Sequence, residues 1–392
     1  MGVKARAAPT CDRANDMSDL TVCLGTANTL RYPQGGHLWV FLNWAAGFRA
    51  NGVRVIWLDV IDARDSRTAI GQAIDTLKAR LAPFGLSEAV ALVGPDGHSS
   101  PDMGSLGCLG VEEAAAADLL FDVRYNLPAC LVKQFRKTAF LDIDPGILQR
   151  AIGLGRVTLA PHDVYFTISE TVGQPGARPS SEHEWVHVPP CVSTEDWPSS
   201  PPPPGGAFTT VSHWEMKEWI VEEDGSYYKN DKRSGFLPFL DLPRRVAPPI
   251  ELAIHLAGNE AERMTLEAHG WRVREAHDVA GSPLEFQRYV QSSRGEFGCA
   301  KPAYVKMRTS WISDRSLCYL ASGRPVIVQD TGPTRYLSGR EGVLRFGTLD
   351  EAVECFRAVE ADYGGHCIAA RALAEEHFAA SKVAARVLER SL

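Results

Sequence analysis

Residues 313–332 read SDRSLCYLASGRPVIVQDTG, and this stretch decides the fold class that we predict for the chain. A polar start is followed by apolar residues at helical spacing, a Gly-x-Pro break and an unbroken apolar run that is typical of a buried strand. Ser313 is placed to cap the helix, and Asp314, Arg315 and Ser316 then lie in its first turn. A helix that leads directly into a buried strand is typical of a parallel α/β sheet.

The same alternation of apolar strands and helical segments runs through the rest of the chain. Short apolar runs rich in β-branched residues occur at 20–25, 53–60 and 138–144, and again at 249–258. Segments with apolar residues at helical spacing separate these runs. The pattern predicts an α/β fold of two Rossmann-like, doubly wound domains that face each other across a cleft, followed by C-terminal helices.

A break in composition divides the chain. The segment 193–206, STEDWPSSPPPPGG, carries five prolines and two glycines, so that neither a helix nor a central strand is expected there. We interpret it as a linker (193–206) between an N-terminal domain (20–192) and a C-terminal domain (207–370). A loose N-terminal tail (1–19) and a C-terminal helix (371–392) that packs back on the first domain complete the prediction.

The composition narrows the class of protein. The chain has 392 residues, of which 45% are hydrophobic, enough for two cores. It carries 41 Lys and Arg against 48 Asp and Glu, a net charge of −7, without a long basic block, so we expect no nucleic-acid partner. Nine scattered cysteines without a C-x-x-C pair indicate reduced thiols. The N-terminal residues lack the apolar segment of a signal peptide, and no apolar run is long enough for a membrane span. This predicts a cytoplasmic protein without an integral membrane segment.

The first candidate site lies between the first strand and the first long helix, in RYPQGGHLW (31–39). Gly35 and Gly36 permit close approach of the backbone, and the unpaired N–H groups of a helix start suit a phosphate or a sugar hydroxyl. His37 in the first helical turn would act as a general base, because an imidazole titrates near neutral pH. A tight turn and a structural histidine are the simpler alternatives.

The second candidate site is the start of the helix in the opening stretch. Asp314 suits the positive end of the helix dipole, whereas Arg315 does not. A cation at the N-terminus of a helix is unfavourable unless an anion binds beside it and offsets the repulsion. Arg315 and the N–H groups beside Ser313 and Ser316 would then clamp a diphosphate. An exposed arginine that reaches into solvent is the simpler alternative.

Further polar residues are expected at the same cleft. Glu296 lies in a Gly-flanked loop, SRGEFGCAK, where a carboxylate can bridge the vicinal diol of a ribose or hexose, and Lys301 in that loop adds charge to a phosphate site. Lys232 belongs to the basic loop YYKNDKRSG. A structural turn and a solvated loop are the respective alternatives. The end of the opening stretch adds Asp330, Thr331 and Gly332.

Two motifs imitate metal sites. HEWVH (183–187) matches the H-E-x-x-H pattern of zinc proteases, but Pro179 before it and Pro189 after it leave no room for the long helix that carries such sites. The segment reads better as a strand. The DID at 142–144 is similar to the D-x-D that binds a metal in one class of glycosyltransferase, and its position at the end of a strand of the first domain places Asp144 at the cleft. A fold with two Rossmann-like halves is not the one that uses this motif. We therefore predict no metal site.

Taken together, the chain resembles the nucleotide-sugar glycosyltransferases of GT-B fold over nearly its whole length. The P-x-G-G loop near the start, the A-x-G-x-P-V-I-V segment from Ala321 to Val328 and a closing helix like AEEHFAASKVAARVLE occur in this order in many of them. No single motif among these is specific for one substrate.

The resemblance implies two Rossmann-like domains, of which the C-terminal one binds the nucleotide diphosphate and the N-terminal one holds the acceptor. It implies no cofactor and no obligate metal, because helix N-termini and basic side chains stabilise the leaving diphosphate. Gly35 and Gly36 match the loop beside donor phosphate and acceptor. His37 is placed like the base of inverting members, with Asp144, or else Asp122, as the carboxylate that orients it.

The chain also departs from this pattern. Many retaining members have a pair of glutamates spaced E-x7-E, and the matching positions here hold Ser310 and Cys318. Asp314 lies one helical turn before Cys318, so we expect it to take over part of the ribose-binding role, with Glu296 as the other carboxylate. His37 tips the expectation toward inversion of the anomeric centre.

The sequence thus predicts a hexosyltransferase that moves a sugar from a nucleotide diphosphate to a small-molecule or glycan acceptor. A sugar-nucleotide epimerase or phosphorylase of the same fold, and a nucleotide-sugar binding protein without catalysis, are the alternatives. The donor, the acceptor and the oligomeric state are left open.

Overall fold

A computed structural model describes residues 20–62, 64–98, 106–201, 205–222, 224–337 and 340–392. The predicted tail 1–19 and residues 202–204 of the predicted linker lie outside the described residues. Within these described ranges, no helix has the length and apolar character needed to cross a membrane.

The first half of the chain forms a parallel seven-stranded sheet. Its strands are β1 (Thr21–Gly25), β2 (Arg54–Val60), β3 (Val90–Val93), β4 (Leu119–Asp122), β5 (Thr138–Asp142), β6 (Val164–Thr167) and β7 (Trp185–His187). Their spatial order is β3-β2-β1-β4-β5-β6-β7. The order changes direction beside β1, which is where open α/β sheets bind their ligands. The HEWVH segment forms β7, so its interpretation as a strand is confirmed.

Helices connect these strands. They are α1 (Gly35–Ala50), α2 (Arg67–Leu81), α3 (Val111–Ala115), α4 (Ala129–Val132) and α5 (Ile147–Gly153). The first helix buries ten of its sixteen residues, among them Trp39, Phe41 and Trp44. A helix that is apolar nearly all round must be covered on several sides. The elements that cover α1 come from both halves of the chain.

The second half forms a parallel six-stranded sheet and a separate antiparallel hairpin. The strands of the chain after β7 are β8 (Phe208–His213), β9 (Trp219–Val221), β10 (Tyr227–Lys229), β11 (Ile250–His255), β12 (Arg272–Glu275), β13 (Gly295–Gly298), β14 (Val326–Gln329) and β15 (Val343–Phe346). The order in the sheet is β12-β11-β8-β13-β14-β15, and β9 pairs with β10 alone. Two parallel sheets with interleaved helices confirm the predicted α/β class.

The helices of the second half are α6 (Lys232–Phe236), α7 (Glu260–Ala268), α8 (Ala276–Ala280), α9 (Pro283–Gln291), α10 (Pro302–Met307), α11 (Asp314–Ala321), α12 (Leu349–Ala361), α13 (Tyr363–Leu373) and α14 (Ala380–Ser391). The opening stretch forms α11 and β14, as predicted. Gly323 ends α11 with φ at 69°, a conformation that favours glycine. Pro325 then leads into β14.

The described part of the proline-rich segment packs against the second half. Trp197 is fully buried. Arg324 donates to the carbonyl of Ser200 at 2.7 Å, and Arg371 donates to the carbonyl of Trp197 at 2.7 Å. Both guanidinium groups thereby fix the backbone of this segment.

The last helix, α14, lies against α1 of the first half. A Cβ at Gly47 of α1 would lie 2.5 Å from the carbonyl oxygen of Ala380, so glycine permits this close contact. Asn51 donates to the carbonyl of Ser381 at 2.9 Å. The largest hydrophobic core contains residues of β1 and α1 together with residues of α9, α11 and α14. One core therefore joins the two halves.

Candidate donor site and interdomain cleft

The carboxyl ends of the two sheets meet at a cleft. Tyr304 of α10 donates its hydroxyl hydrogen bond to Asp144, which follows β5, at 2.5 Å. Ser169, which follows β6, donates to the carbonyl of Thr309 at 2.7 Å. These contacts bring the loop between α10 and α11 onto the first half.

A pocket opens on the second-half side of this cleft. It is formed by the ends of β13 and β14, by the loop before α11 and by the first turn of α11. Its polar and aromatic lining residues are Lys232, Ser310, Trp311, Ser313, Arg315, Ser316, Gln329, Thr331, Thr334 and Arg345. The structure thus brings Lys232, Ser313, Arg315, Ser316 and Thr331 of the predicted donor site together.

Arg315 is held rigidly at the wall of the pocket. Its Nε donates to Glu296 at 2.7 Å and its Nη1 donates to the carbonyl of Val211 at 2.9 Å. Its Nη2 has no hydrogen-bond partner among the described residues. The guanidinium is therefore oriented by the protein and keeps donor capacity for a ligand.

Lys232 is the second cation of the pocket. Its side chain is buried and its ammonium donates to the carbonyl of Cys299, 5.5 Å above the ring of Trp311. Burial, together with the neighbouring positive charges of Arg315 and Lys301, lowers the pKa of Lys232 to about 7. No salt bridge to Lys232 occurs within the described part of the chain. A buried ammonium beside another cation fits a pocket that takes an anion.

Glu296 does not face a ligand, which corrects its predicted role as a diol-binding residue. The side chain is fully buried on β13, and one carboxylate oxygen pairs with Arg315. Its other oxygen is buried without a partner among the described residues. Glu296 therefore positions Arg315. The Gly-flanked segment that we expected to be a loop is the central strand β13.

The remaining donor residues have different surroundings from those we expected. Lys301 forms a salt bridge with Glu218 at 2.9 Å and does not line the pocket. Asp330 pairs with Arg345 and accepts a hydrogen bond from the backbone N–H of Gly332, so it shapes the loop rather than contacting a ligand. Arg345 lines the pocket and was missed, because it lies on β15, far from any recognised motif.

The start of α11 differs from the prediction in one detail. Ser313 is the N-cap residue with extended backbone, but its hydroxyl makes no capping hydrogen bond and lines the pocket instead. Ser316 has a buried hydroxyl without a partner among the described residues. Burial raises the pKa of Asp314 to about 7, and the negative charge of Asp144 acts in the same direction. Asp314 and Asp144 thus approach each other from opposite halves.

Gly35 and Gly36 lie at a helix contact, which corrects their predicted place beside the phosphate. A Cβ at Gly35 would lie 2.2 Å from the carbonyl oxygen of Ser282, and one at Gly36 would lie 3.0 Å from the ring of Phe286. The two glycines permit the start of α1 to pack on α9 of the second half. The approaching group is protein backbone and not a ligand.

His37 lies in the cleft but is not oriented by Asp144, which corrects the predicted pair. Its Nε2 donates to the carbonyl of Ala27 at 2.7 Å, so Nδ1 carries the lone pair of the neutral ring. Burial lowers the pKa of His37, whereas the Ala27 carbonyl and the charge of Asp59 act in the opposite direction. Asp144 accepts a hydrogen bond from Tyr304 and none from His37. The imidazole is therefore neutral at neutral pH.

A second histidine, His213, lies near His37 at the end of β8. The positive charge of His213 contributes to the lowered pKa of His37. Burial lowers the pKa of His213, and the charges of His255 and Lys301 lower it further. His213 is thus close enough to His37 to lower its pKa, and Lys301 in turn acts on His213.

Two aromatic residues at the cleft were also missed. The rings of Tyr304 and Trp311 stack with their centroids 4.2 Å apart. Trp311 precedes the opening stretch directly and lines the pocket. Tyr304 has no sequence signal, because its partner Asp144 lies 160 positions earlier. Among the described residues, no group of three His, Cys, Asp or Glu side chains is arranged to hold a metal ion. That the reaction needs no metal stays a prediction.

Solved structures of the same fold are glycosyltransferases. An alpha-glucosyltransferase in complex with UDP and a 13-mer DNA matches 95% of this chain and 99% of its own, with a TM-score of 0.59 and 11% identity. The Anabaena protein HepE, in complex with UDP and glucose, matches 94% of this chain and 98% of its own, with a TM-score of 0.56 and 12% identity. Sucrose-phosphate synthase from Thermosynechococcus elongatus matches 95% of this chain and 98% of its own, with a TM-score of 0.52 and 10% identity. The resemblance to GT-B glycosyltransferases is confirmed at the level of the fold.

Sequence comparison adds no match. No protein-family model matches the chain, and no curated protein matches it by sequence.

The expectation that nucleic acid is excluded as a partner is wrong. Several alpha-glucosyltransferase structures that share the fold over about 95% of the chain are complexes with DNA. A net charge of −7, summed over all 392 residues, says nothing about the charge of one acceptor surface. The inference from total charge to partner class was therefore unsound.

Proposed function

We propose that the protein transfers a hexose from a UDP-sugar to a hydroxyl group of an acceptor held at the cleft. The observation that carries the proposal is the pair of buried or part-buried cations, Lys232 and Arg315, at one pocket of a GT-B fold. Arg315 is already paired with Glu296, but Lys232 has no anionic partner among the described residues. A nucleoside diphosphate would supply that anion and would accept the hydrogen bond that Nη2 of Arg315 has left to donate. UDP is the nucleotide named in the similar structures, which favours it over other diphosphates.

The leaving group would be stabilised by charge and by the helix start. As the bond between the sugar C1 and the diphosphate oxygen breaks, the electron pair stays on UDP. Arg315, Lys232 and the N–H groups at the start of α11 would then bind the developing charge, which is the role of a metal ion in other transferases. The hydroxyl groups of Ser313 and Ser316 would bind sugar hydroxyls of the donor, whereas Asp314 does not line the pocket.

The acceptor would be activated by His37. Nδ1 of the neutral imidazole takes the proton of the acceptor hydroxyl while the acceptor oxygen forms the new bond to C1. Attack opposite to the leaving UDP inverts the anomeric centre. The Ala27 carbonyl fixes the ring tautomer, the role that we had expected of Asp144. A glycan, a small molecule and, from the similar structures, a nucleic acid are the acceptor classes to test.

The test measures UDP release and UDP binding for the wild type and for His37→Gln. Removing a general base lowers transfer by roughly 10²–10⁴-fold, whereas the dissociation constant of UDP stays unchanged because His37 does not line the pocket. His269→Gln is the matched control, since His269 pairs with Asp241 outside the cleft. Full activity of His37→Gln would contradict the base role. Conversion of a UDP-sugar to a second UDP-sugar without acceptor would identify an epimerase instead.

A further inference from the structure

The hairpin β9–β10 is an insertion that the proposed function does not explain. It occupies the connection between β8 and α6, where a parallel α/β sheet needs only a short loop. Because it follows the carboxyl end of β8, it lies on the side of the sheet that faces the cleft.

The two faces of the hairpin differ sharply. On the inner face, Ile220 is buried, and Lys306 lies 3.9 Å above the ring of Tyr228. On the outer face, Trp219 is 51% exposed and Tyr227 is 70% exposed. Their rings contact each other, with centroids 5.5 Å apart and planes at 69°. A pair of large aromatic rings that contact each other and face solvent marks a binding surface.

This aromatic pair lies next to the donor site. Glu218, the neighbour of Trp219, forms a salt bridge with Lys301 at 2.9 Å, and the charge of Lys301 acts on Lys232 in the pocket. From the first half, Arg150 of α5 donates to the carbonyl of Val221 at 2.7 Å. The hairpin therefore contacts both halves beside the cleft.

The charge of the hairpin decides between occupants. Residues 218–229, which span the hairpin, contain four Asp and Glu and one Lys, a net charge of −3. Glu218 pairs with Lys301, whereas Glu222 and Asp224 of the turn form no salt bridge among the described residues. Such a segment repels a nucleic-acid backbone and an anionic lipid surface. Exposed aromatic rings flanked by carboxylates instead suit a neutral saccharide, whose apolar ring face packs on the aromatic groups while its hydroxyls donate hydrogen bonds to the carboxylates.

Resting on the proposed glycosyl transfer, we infer that Trp219 and Tyr227 form an acceptor platform for a neutral oligosaccharide. The second half would thus contribute to acceptor binding as well as to donor binding. Trp219 and Tyr227 set acceptor affinity and leave the affinity for UDP unchanged.

The experiment is saturation-transfer NMR with maltoheptaose, cellohexaose and chitohexaose as probes. Transfer of saturation from the wild type to at least one of them is expected. The double variant Trp219→Ala/Tyr227→Ala should bind that oligosaccharide at least about tenfold more weakly, because Trp and Tyr side chains that pack on a ligand carry most of the affinity of a binding surface. Ile368→Ala, at an exposed apolar residue of α13, is the control and should bind like the wild type. Both sets of changes lie at the surface, so folding is preserved.

Three results would overturn the platform. In the first, the wild type binds none of the three oligosaccharides. In the second, the double variant binds an oligosaccharide as tightly as the wild type does. In the third, the wild type binds a single-stranded oligonucleotide or phosphatidylserine vesicles, and the double variant loses that binding. Calorimetry with UDP separates this outcome from failure of the proposed function. UDP binding without oligosaccharide binding removes the platform alone, whereas oligosaccharide binding without UDP binding removes the transfer reaction and leaves a saccharide site.

Discussion

At the residue scale, the donor pocket is defined by two cations. Lys232 forms no salt bridge among the described residues, and Arg315 pairs with Glu296 but keeps Nη2 without a hydrogen-bond partner among them. Lys232 and Arg315 were predicted from basic loops and from an arginine at the wrong end of a helix dipole. What the sequence could not show is which carboxylate each would meet. Glu296 lies on a neighbouring strand, 19 positions before Arg315 in the chain, and only the folded sheet brings the two together. The same holds for Asp144, which pairs with Tyr304 rather than with His37.

We expect Lys232→Met to stabilise the protein without ligand and to weaken UDP binding. The pKa of Lys232 in the folded chain, about 7, lies below the ordinary lysine value of about 10.4. Between these two pH values the unfolded chain holds a proton that the folded chain has lost, so the free energy of unfolding contributed by Lys232 rises with pH across this window. In Lys232→Met this rise is absent, and below pH 7 the cost of burying a charged ammonium is removed.

Urea unfolding of both proteins between pH 6 and pH 10 measures this difference. Lys382→Met, at an exposed position of α14, is the control and should follow the wild type. A Lys232→Met variant that is less stable than the wild type at pH 6 would contradict the assignment of Lys232 as an unneutralised cation.

At the element scale, the spacing of apolar residues predicted several of the strands and helices. The group that contacts Gly35 and Gly36 was assigned incorrectly. The strands β1, β2 and β5, the long helix α1 and the helix-strand unit of α11 and β14 follow from apolar spacing, because local burial patterns determine them. Gly35 and Gly36 indicate that another group approaches the backbone closely. The absence of a Cβ permits the approach of a phosphate and of a helix backbone alike, so the sequence does not distinguish the two. The hairpin β9–β10 was not predicted, since its strands are three residues long and partly polar.

Gly35→Ala is expected to destabilise the protein, because the new Cβ would lie 2.2 Å from the backbone oxygen of Ser282 and would separate α1 from α9. A clash of this kind costs typically about 1–3 kcal/mol. Gly71→Ala in α2 is the matched control, since no atom lies within 4 Å of the added Cβ, and it should stabilise by roughly 0.5–1 kcal/mol. Chemical denaturation of the two variants measures both changes. Equal, small effects would show that α1 and α9 do not pack as described.

At the scale of the whole molecule, the two sheets and the packing of the C-terminal helix on the first domain were predicted, whereas a single core shared by both halves was not. Sequence patterns identify each α/β half separately. They do not show that α9, α11 and α14 complete the core around α1, because these contacts join residues far apart in the chain. Acceptor class is a property of surface loops and inserted elements, which is why total charge gave the wrong exclusion and why the hairpin was overlooked.

A shared core makes the central claim directly measurable by calorimetry. We expect the chain to unfold in one cooperative transition, so that UDP bound in the second half stabilises the whole molecule. The midpoint should rise with UDP concentration, by the equivalent of about 2.7 kcal/mol at a hundredfold excess over the dissociation constant, and Lys232→Met should lose most of this rise at the same concentration. A midpoint that does not move with UDP, or that moves equally in Lys232→Met, would contradict the donor site and with it the proposed glycosyl transfer.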